Sequence, residues 1–110
     1  MKAITYSKTG PSSVLNLVER EIQEPGSGEV RVKIVVSGVN PTDWKARAGN
    51  RQPLAFDEVV PNQDGAGIVD AVGDHVQGLS VGDRVWVMLA AHGRPTGTAQ
   101  EFAVVPKDRV

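Results

Sequence analysis

Pro25-Gly26-Ser27-Gly28-Glu29-Val30-Arg31-Val32-Lys33-Ile34-Val35-Val36-Ser37-Gly38 is the stretch that decides the fold. Its first four residues make a turn. After them Val30, Val32, Ile34 and Val36 alternate with Glu29, Arg31, Lys33 and Val35. A period of two marks a half-buried strand over Glu29 to Val36, with the first set on the core side. The strand ends at Gly38. Asn40-Pro41-Thr42-Asp43 then opens a short helix: Asn is a good N-cap, Pro suits the first turn, and an acid in that turn favours the helix dipole. Trp44 to Arg47 continue the helix, and Gly49 is a suitable stop.

Outward from this strand the same pattern recurs in shorter pieces. Ala3 to Ser7 and Leu15 to Arg20 read as strands on either side of Thr9-Gly10-Pro11. Gly65 to Val72, Arg84 to Leu89 and Glu101 to Val105 are predicted strands downstream. Twelve Gly and seven Pro cut the chain into such segments, which suits a mainly β barrel better than a helical bundle. Gly82-Asp83 reads as a tight turn into the next strand, with Asp83 bonding its own backbone. Gly65-Ala66-Gly67 invites a dinucleotide-binding reading, but Asp70 stands at the third glycine position and no amphipathic helix follows. These glycines are read instead as places of close backbone approach.

Composition sets the outer limits. The 110 residues fit one domain, and a net charge of −1 without any basic stripe argues against nucleic acid or an anionic membrane as partner. The stretches Trp44 to Arg51 and Lys107 to Arg109 read as solvated charge. With no cysteine, disulfides, thiolate-bound zinc and a thiol nucleophile are excluded. That fits a reducing cytoplasm. The first residues are too short and polar an apolar run for a signal peptide, and nothing approaches the roughly 20 apolar residues of a membrane span. His75 beside Asp74 and His92 in a Gly/Pro loop read as ordinary surface histidines.

Taken in order, these segments resemble the medium-chain dehydrogenase/reductase family. The match runs from Met1-Lys2-Ala3-Ile4 and Pro11 to Leu15 through Pro25 to Lys33 and Ser37 to Lys45. It continues in Asp64-Gly65-Ala66-Gly67-Ile68-Val69, Ala71-Val72-Gly73, Val81 to Val85 and Ala99 to Phe102. The resemblance implies a mainly β fold, a GroES-like, partly open barrel with short helices over residues 1–110, the catalytic, substrate-side domain. It also implies that a complete member runs to about three times this length, its Rossmann domain absent from this chain. Where zinc-dependent members carry a cysteine and a histidine, Asn40 and Gln63 stand here, and neither amide replaces a thiolate or an imidazole on zinc. This resembles the zinc-free, zeta-crystallin-like quinone oxidoreductase branch.

The resemblance then implies hydride transfer from NADPH, bound mainly by the missing domain, to a quinone or an α,β-unsaturated carbonyl. Asn40 and Thr42 are expected to face the nicotinamide and the substrate oxygen, and Asp43 to orient the segment. Trp44, Lys45, Gln63 and Asp64 are expected to line the substrate pocket. The resemblance allows a homodimer of the full-length protein. A rival reading is a non-enzymatic, co-chaperonin-like barrel, which shares the Val-Gly-Asp-x-Val phrase at Val81 to Val85 but needs a long mobile loop instead of a capped helix.

Overall fold

A computed structural model describes residues 1–49 and 53–110; the end of the Trp44 to Arg51 stretch lies outside the described residues. The strands are β1 (Lys2–Thr5), β2 (Asn16–Glu19), β3 (Glu29–Ser37), β4 (Gly65–Val72), β5 (Arg84–Val87) and β6 (Phe102–Pro106). Helix α1 (Pro41–Ala48) follows β3, and single 3-10 turns occur at Ser12–Val14 and Lys107–Arg109. All named pairs are antiparallel, in a four-stranded sheet of order β5-β4-β3-β6 and a separate pair β1-β2. Backbone bonds from Ile4 N–H to Ala99 O (2.9 Å) and Glu101 N–H to Lys2 O (3.1 Å) bring the pair against the segment before β6. The two sheets do not close on each other, so the barrel is partly open, as the family resemblance implies.

The core follows from the register. Val32 stands between Val69 on β4 and Ala103 on β6, and Val30 faces Val105. Val30, Val32, Val69, Val87, Ala90 and Val105 are 0–1% exposed. Burying each such valine contributes on the order of 1.5–3 kcal/mol. Tyr6, Val14 and Val59 form a second cluster with Leu15 and Leu54 packed against it, and Tyr6 and Val59 exchange backbone bonds.

The alternation read in β3 holds for Val30 and Val32 and then breaks. Between Ile34 and Val36 the register against β4 shifts, so two β3 residues oppose one. Such a bulge turns the following side chain to the other face. Val36 is therefore 60% exposed beside Val35 at 68%, where a strict period of two places it in the core. Gly67 lies at this crowded point: a Cβ there would meet the Lys33 carbonyl, so the glycine serves close strand approach within β4. A second shift leaves Asp70 as the extra residue of β4, and its carboxylate meets Arg31 Nε at 2.6 Å. Strand β5 ends at Val87 rather than Leu89 because Leu89 adopts a left-handed φ of 55° and turns the chain.

Helix α1 forms where its sequence places it. Asn40 is the N-cap in an extended conformation, Pro41 opens the first turn, and Gly49 closes the helix with φ 84°, a conformation that glycine adopts without steric cost. No helix among the described residues is long and apolar enough to cross a membrane.

Candidate functional site

Three segments meet at the start of α1: the β3-α1 junction, the loop at residues 61–64 and the turn at residues 89–94. Asp43, 8% exposed, joins the first two. Its Oδ2 accepts the Asn40 backbone N–H at 2.7 Å and its Oδ1 accepts the Gln63 N–H at 3.2 Å. Burial pushes the Asp43 carboxyl above its ordinary value and the charge of Asp64 adds to this, against the two backbone bonds, which favour the anion. The helix-start acid of the sequence is thus also a cross-link between segments.

Asn40 and Asp64 form a second link. Asn40 Nδ2 donates to Asp64 Oδ1 at 3.1 Å. Gly38 N–H donates to the Asp64 carbonyl at 2.9 Å, and the Asp64 carboxylate occupies the place where a Gly38 side chain would be. Thr98, fully buried, donates its hydroxyl to the same carbonyl at 2.6 Å. With that proton committed, Ser37 Oγ donates to Thr98 Oγ1 at 2.8 Å and accepts from Asn62 Nδ2 at 2.8 Å. This polar relay beneath the site was not legible in the sequence, since it joins Ser37 at the end of β3 to Asn62 and Thr98 in loops that follow no period.

Helix α1 divides the candidates between two sides. Thr42 and Ala46, four residues apart, face a cleft of about 470 Å³ with Gln63, Tyr6, Leu54, Phe56, His92 and Arg94 on its walls. A pocket of this size takes a small organic molecule. Trp44 and Arg47 face another cavity, of about 280 Å³, with Ile4, Leu15 and Val39. Lys45 folds its ammonium to 5.7 Å from the Trp44 ring centre. Asp64 borders a third hollow, of about 380 Å³, with Val36, Trp86 and Met88. Thr42 and Gln63 therefore come together in one cleft. Trp44 and Asp64 border other cavities.

Tyr6 is the wall residue that sequence reasoning passed over, because an aromatic in a short strand reads as core, and it is core as well. Burial pushes its phenol above the ordinary value, Asp43 pushes it further and Arg47 opposes, so it stays protonated at neutral pH. His92, an ordinary exposed histidine by sequence, stands on the rim of the same cleft. Among the described residues no group of three His, Cys, Asp or Glu is placed to hold a metal ion.

Residues 26–110 match the family described as the alcohol dehydrogenase GroES-like domain. Quinone oxidoreductase of Sus scrofa is 36% identical over 111 residues, which cover 100% of this chain and 32% of that protein. The 2-haloacrylate reductase of a Burkholderia species is 34% identical over 116 residues, 98% of this chain and 34% of the relative. Among solved structures, Escherichia coli quinone oxidoreductase complexed with NADPH superposes with a TM-score of 0.87 at 27% identity, covering 99% of this chain and 32% of that one. The chain spans about a third of the length of these relatives. It belongs to the alcohol dehydrogenase GroES-like domain family, with a fold shared by quinone oxidoreductases.

Proposed function

We propose that this chain is the substrate-side domain of a zinc-independent, NADPH-dependent reductase that acts on quinones or α,β-unsaturated carbonyls. The observation that carries this reading is the cleft in which Thr42 and Gln63 meet apolar walls of Leu54 and Phe56. One polar end and one apolar slot suit a flat conjugated carbonyl. The names of the relatives, quinone oxidoreductase and 2-haloacrylate reductase, agree with it.

The donor set does not fit zinc. Asn40 and Gln63 are neutral amides, Asn40 already donates to Asp64, and the chain has no cysteine. Without a metal as Lewis acid, the carbonyl oxygen must be polarised by hydrogen-bond donors such as the Thr42 hydroxyl and an amide. Such donors suit acceptors that are already electrophilic; oxidation of a simple alcohol depends on stronger acidification. NADPH would supply the hydride. In this chain Thr42, exposed on the first turn of α1, would border the nicotinamide, and the phosphates would fall to the remainder of the protein. Gly65-Ala66-Gly67, paired within β4 to both β3 and β5, offers no phosphate loop. A cytoplasmic, membrane-free location and a homodimer of the full-length protein complete the reading.

The co-chaperonin alternative fits less well, since a capped helix occupies the place after β3. The decisive experiment is steady-state kinetics of the full-length protein with NADPH and a 1,4-quinone, NADPH and an enone, and NADP⁺ and a primary alcohol. Reduction of at least one of the first two and no alcohol oxidation is the expected result. Efficient alcohol oxidation with neither reduction overturns it. Chelator-washed protein is expected to hold far less than one zinc per chain by elemental analysis.

A further inference from the structure

Gln63 has four polar groups, and the protein occupies three of them. Its N–H donates to Asp43 Oδ1 at 3.2 Å. Its carbonyl accepts Ala90 N–H at 2.8 Å, and its side-chain Oε1 accepts the next N–H, that of Ala91, at 3.1 Å. A backbone N–H can only be met by the oxygen end of an amide, so this contact fixes which way the side chain points. The turn that grips Gln63 is itself held: Ala90 is fully buried, and Arg109 Nη1 donates to both the Leu89 and His92 carbonyls, at 2.9 and 3.0 Å. Among the described residues Nε2 has no acceptor and is not sealed from solvent, while Gln63 lines the cleft beside Thr42.

From this we infer that Gln63 Nε2 is the preset hydrogen-bond donor to the carbonyl oxygen of the substrate. Asp43 and the 89–91 turn are the positioning groups behind it. The inference rests on the proposed reductase reading and names the group that polarises the acceptor. When hydride adds to the conjugated carbon, the displaced electron pair settles on the carbonyl oxygen, and a water proton later completes the product. The N–H of a fixed amide stabilises that oxyanion without giving up its own proton and without reorganising. Asn40, the more obvious donor by sequence, has its amide nitrogen on Asp64.

The test uses the full-length protein with NADPH and either 1,4-benzoquinone or 2-cyclohexenone, in wild type, Gln63→Leu and Gln63→Glu. Gln63→Leu is expected to lose about 100-fold in kcat, with the KM for NADPH unchanged. Gln63→Glu keeps an oxygen for Ala91 N–H and loses the donor, so it should be as impaired at neutral pH. Its activity should recover as pH falls toward the usual Glu value of about 4.3, because a protonated carboxyl donates again. Wild type should show no such rise. Were Gln63→Leu to unfold, this pH limb decides alone. Activity of both variants within about threefold of wild type, or a Gln63→Glu loss that no pH restores, overturns the inference. A wild type that reduces neither acceptor removes the reading beneath it.

Discussion

The two sides of helix α1 differ in kind. On the Thr42 side a wide cleft combines a hydroxyl, an oriented amide and apolar walls. On the Trp44 side a smaller cavity holds a half-exposed indole, Val39 and Arg47, whose Nη1 is committed to the Gly10 carbonyl. The six residues from Asn40 to Lys45 read as one motif, yet a helix turns about 100° per residue, so neighbours in sequence part company in space. Asp43 alone among them touches both sides, and it is the residue most fully committed to the fold. The cleft draws its lining from residues four apart and from a distant loop rather than from adjacent letters.

Breaking the comparison at its shared member should have the largest effect. Asp43→Ala leaves the N–H groups of Asn40 and Gln63 without their acceptor. Each such loss costs about 1–3 kcal/mol, so urea denaturation of the chain should show a destabilisation of about 2–6 kcal/mol. Gly38→Ala comes next. A methyl group there collides with the Asp64 carboxylate that anchors Asn40, and a loss of about 1–3 kcal/mol is expected by the same measurement. An unchanged midpoint would mean that Asp64 moves aside freely.

The pH dependence sharpens the same point. The Asp43 carboxyl titrates higher in the folded chain than its ordinary 3.8, so the folded state holds this proton more tightly than the unfolded state. Its contribution is then greatest at acid pH and declines as pH rises from 3.8 through the raised value. The stability difference between wild type and Asp43→Asn should therefore move against wild type over that window. A difference that is flat with pH, or of opposite slope, contradicts the burial argument.

Much of the fold was legible because regular structure leaves a periodic record. The β3 alternation, the cap-to-stop signature of α1 from Asn40 to Gly49, and the bounds of β4 at Gly65 and Val72 all read directly. The bulge at Val35 did not, since nothing local in a run of valines says that Gly67 must approach Lys33 across the sheet. The site was legible in its parts and not in its arrangement. Thr42 and Gln63 were both candidates, but their meeting, the wall made by Tyr6, and the Asn62-Ser37-Thr98 relay depend on three loops converging, which residue spacing does not encode.

The smallest effect is expected at Lys45. Its charge lies over the Trp44 ring and away from the cleft, so Lys45→Ala should leave the kcat/KM of the full-length protein for a quinone within about twofold. A larger loss would bring the Trp44 side into the site.

The central claim is that catalytic contacts lie on the Thr42 side of α1 and not on the Trp44 side. It is tested most directly by comparing Thr42→Val with Trp44→Ala in the full-length protein, using NADPH and a 1,4-quinone. Thr42→Val keeps the shape of the side chain and removes its hydroxyl; its kcat/KM is expected to fall by about 10- to 100-fold. Trp44→Ala is expected to stay within about threefold of wild type. The reverse ranking, with Trp44→Ala crippled and Thr42→Val intact, would contradict the account.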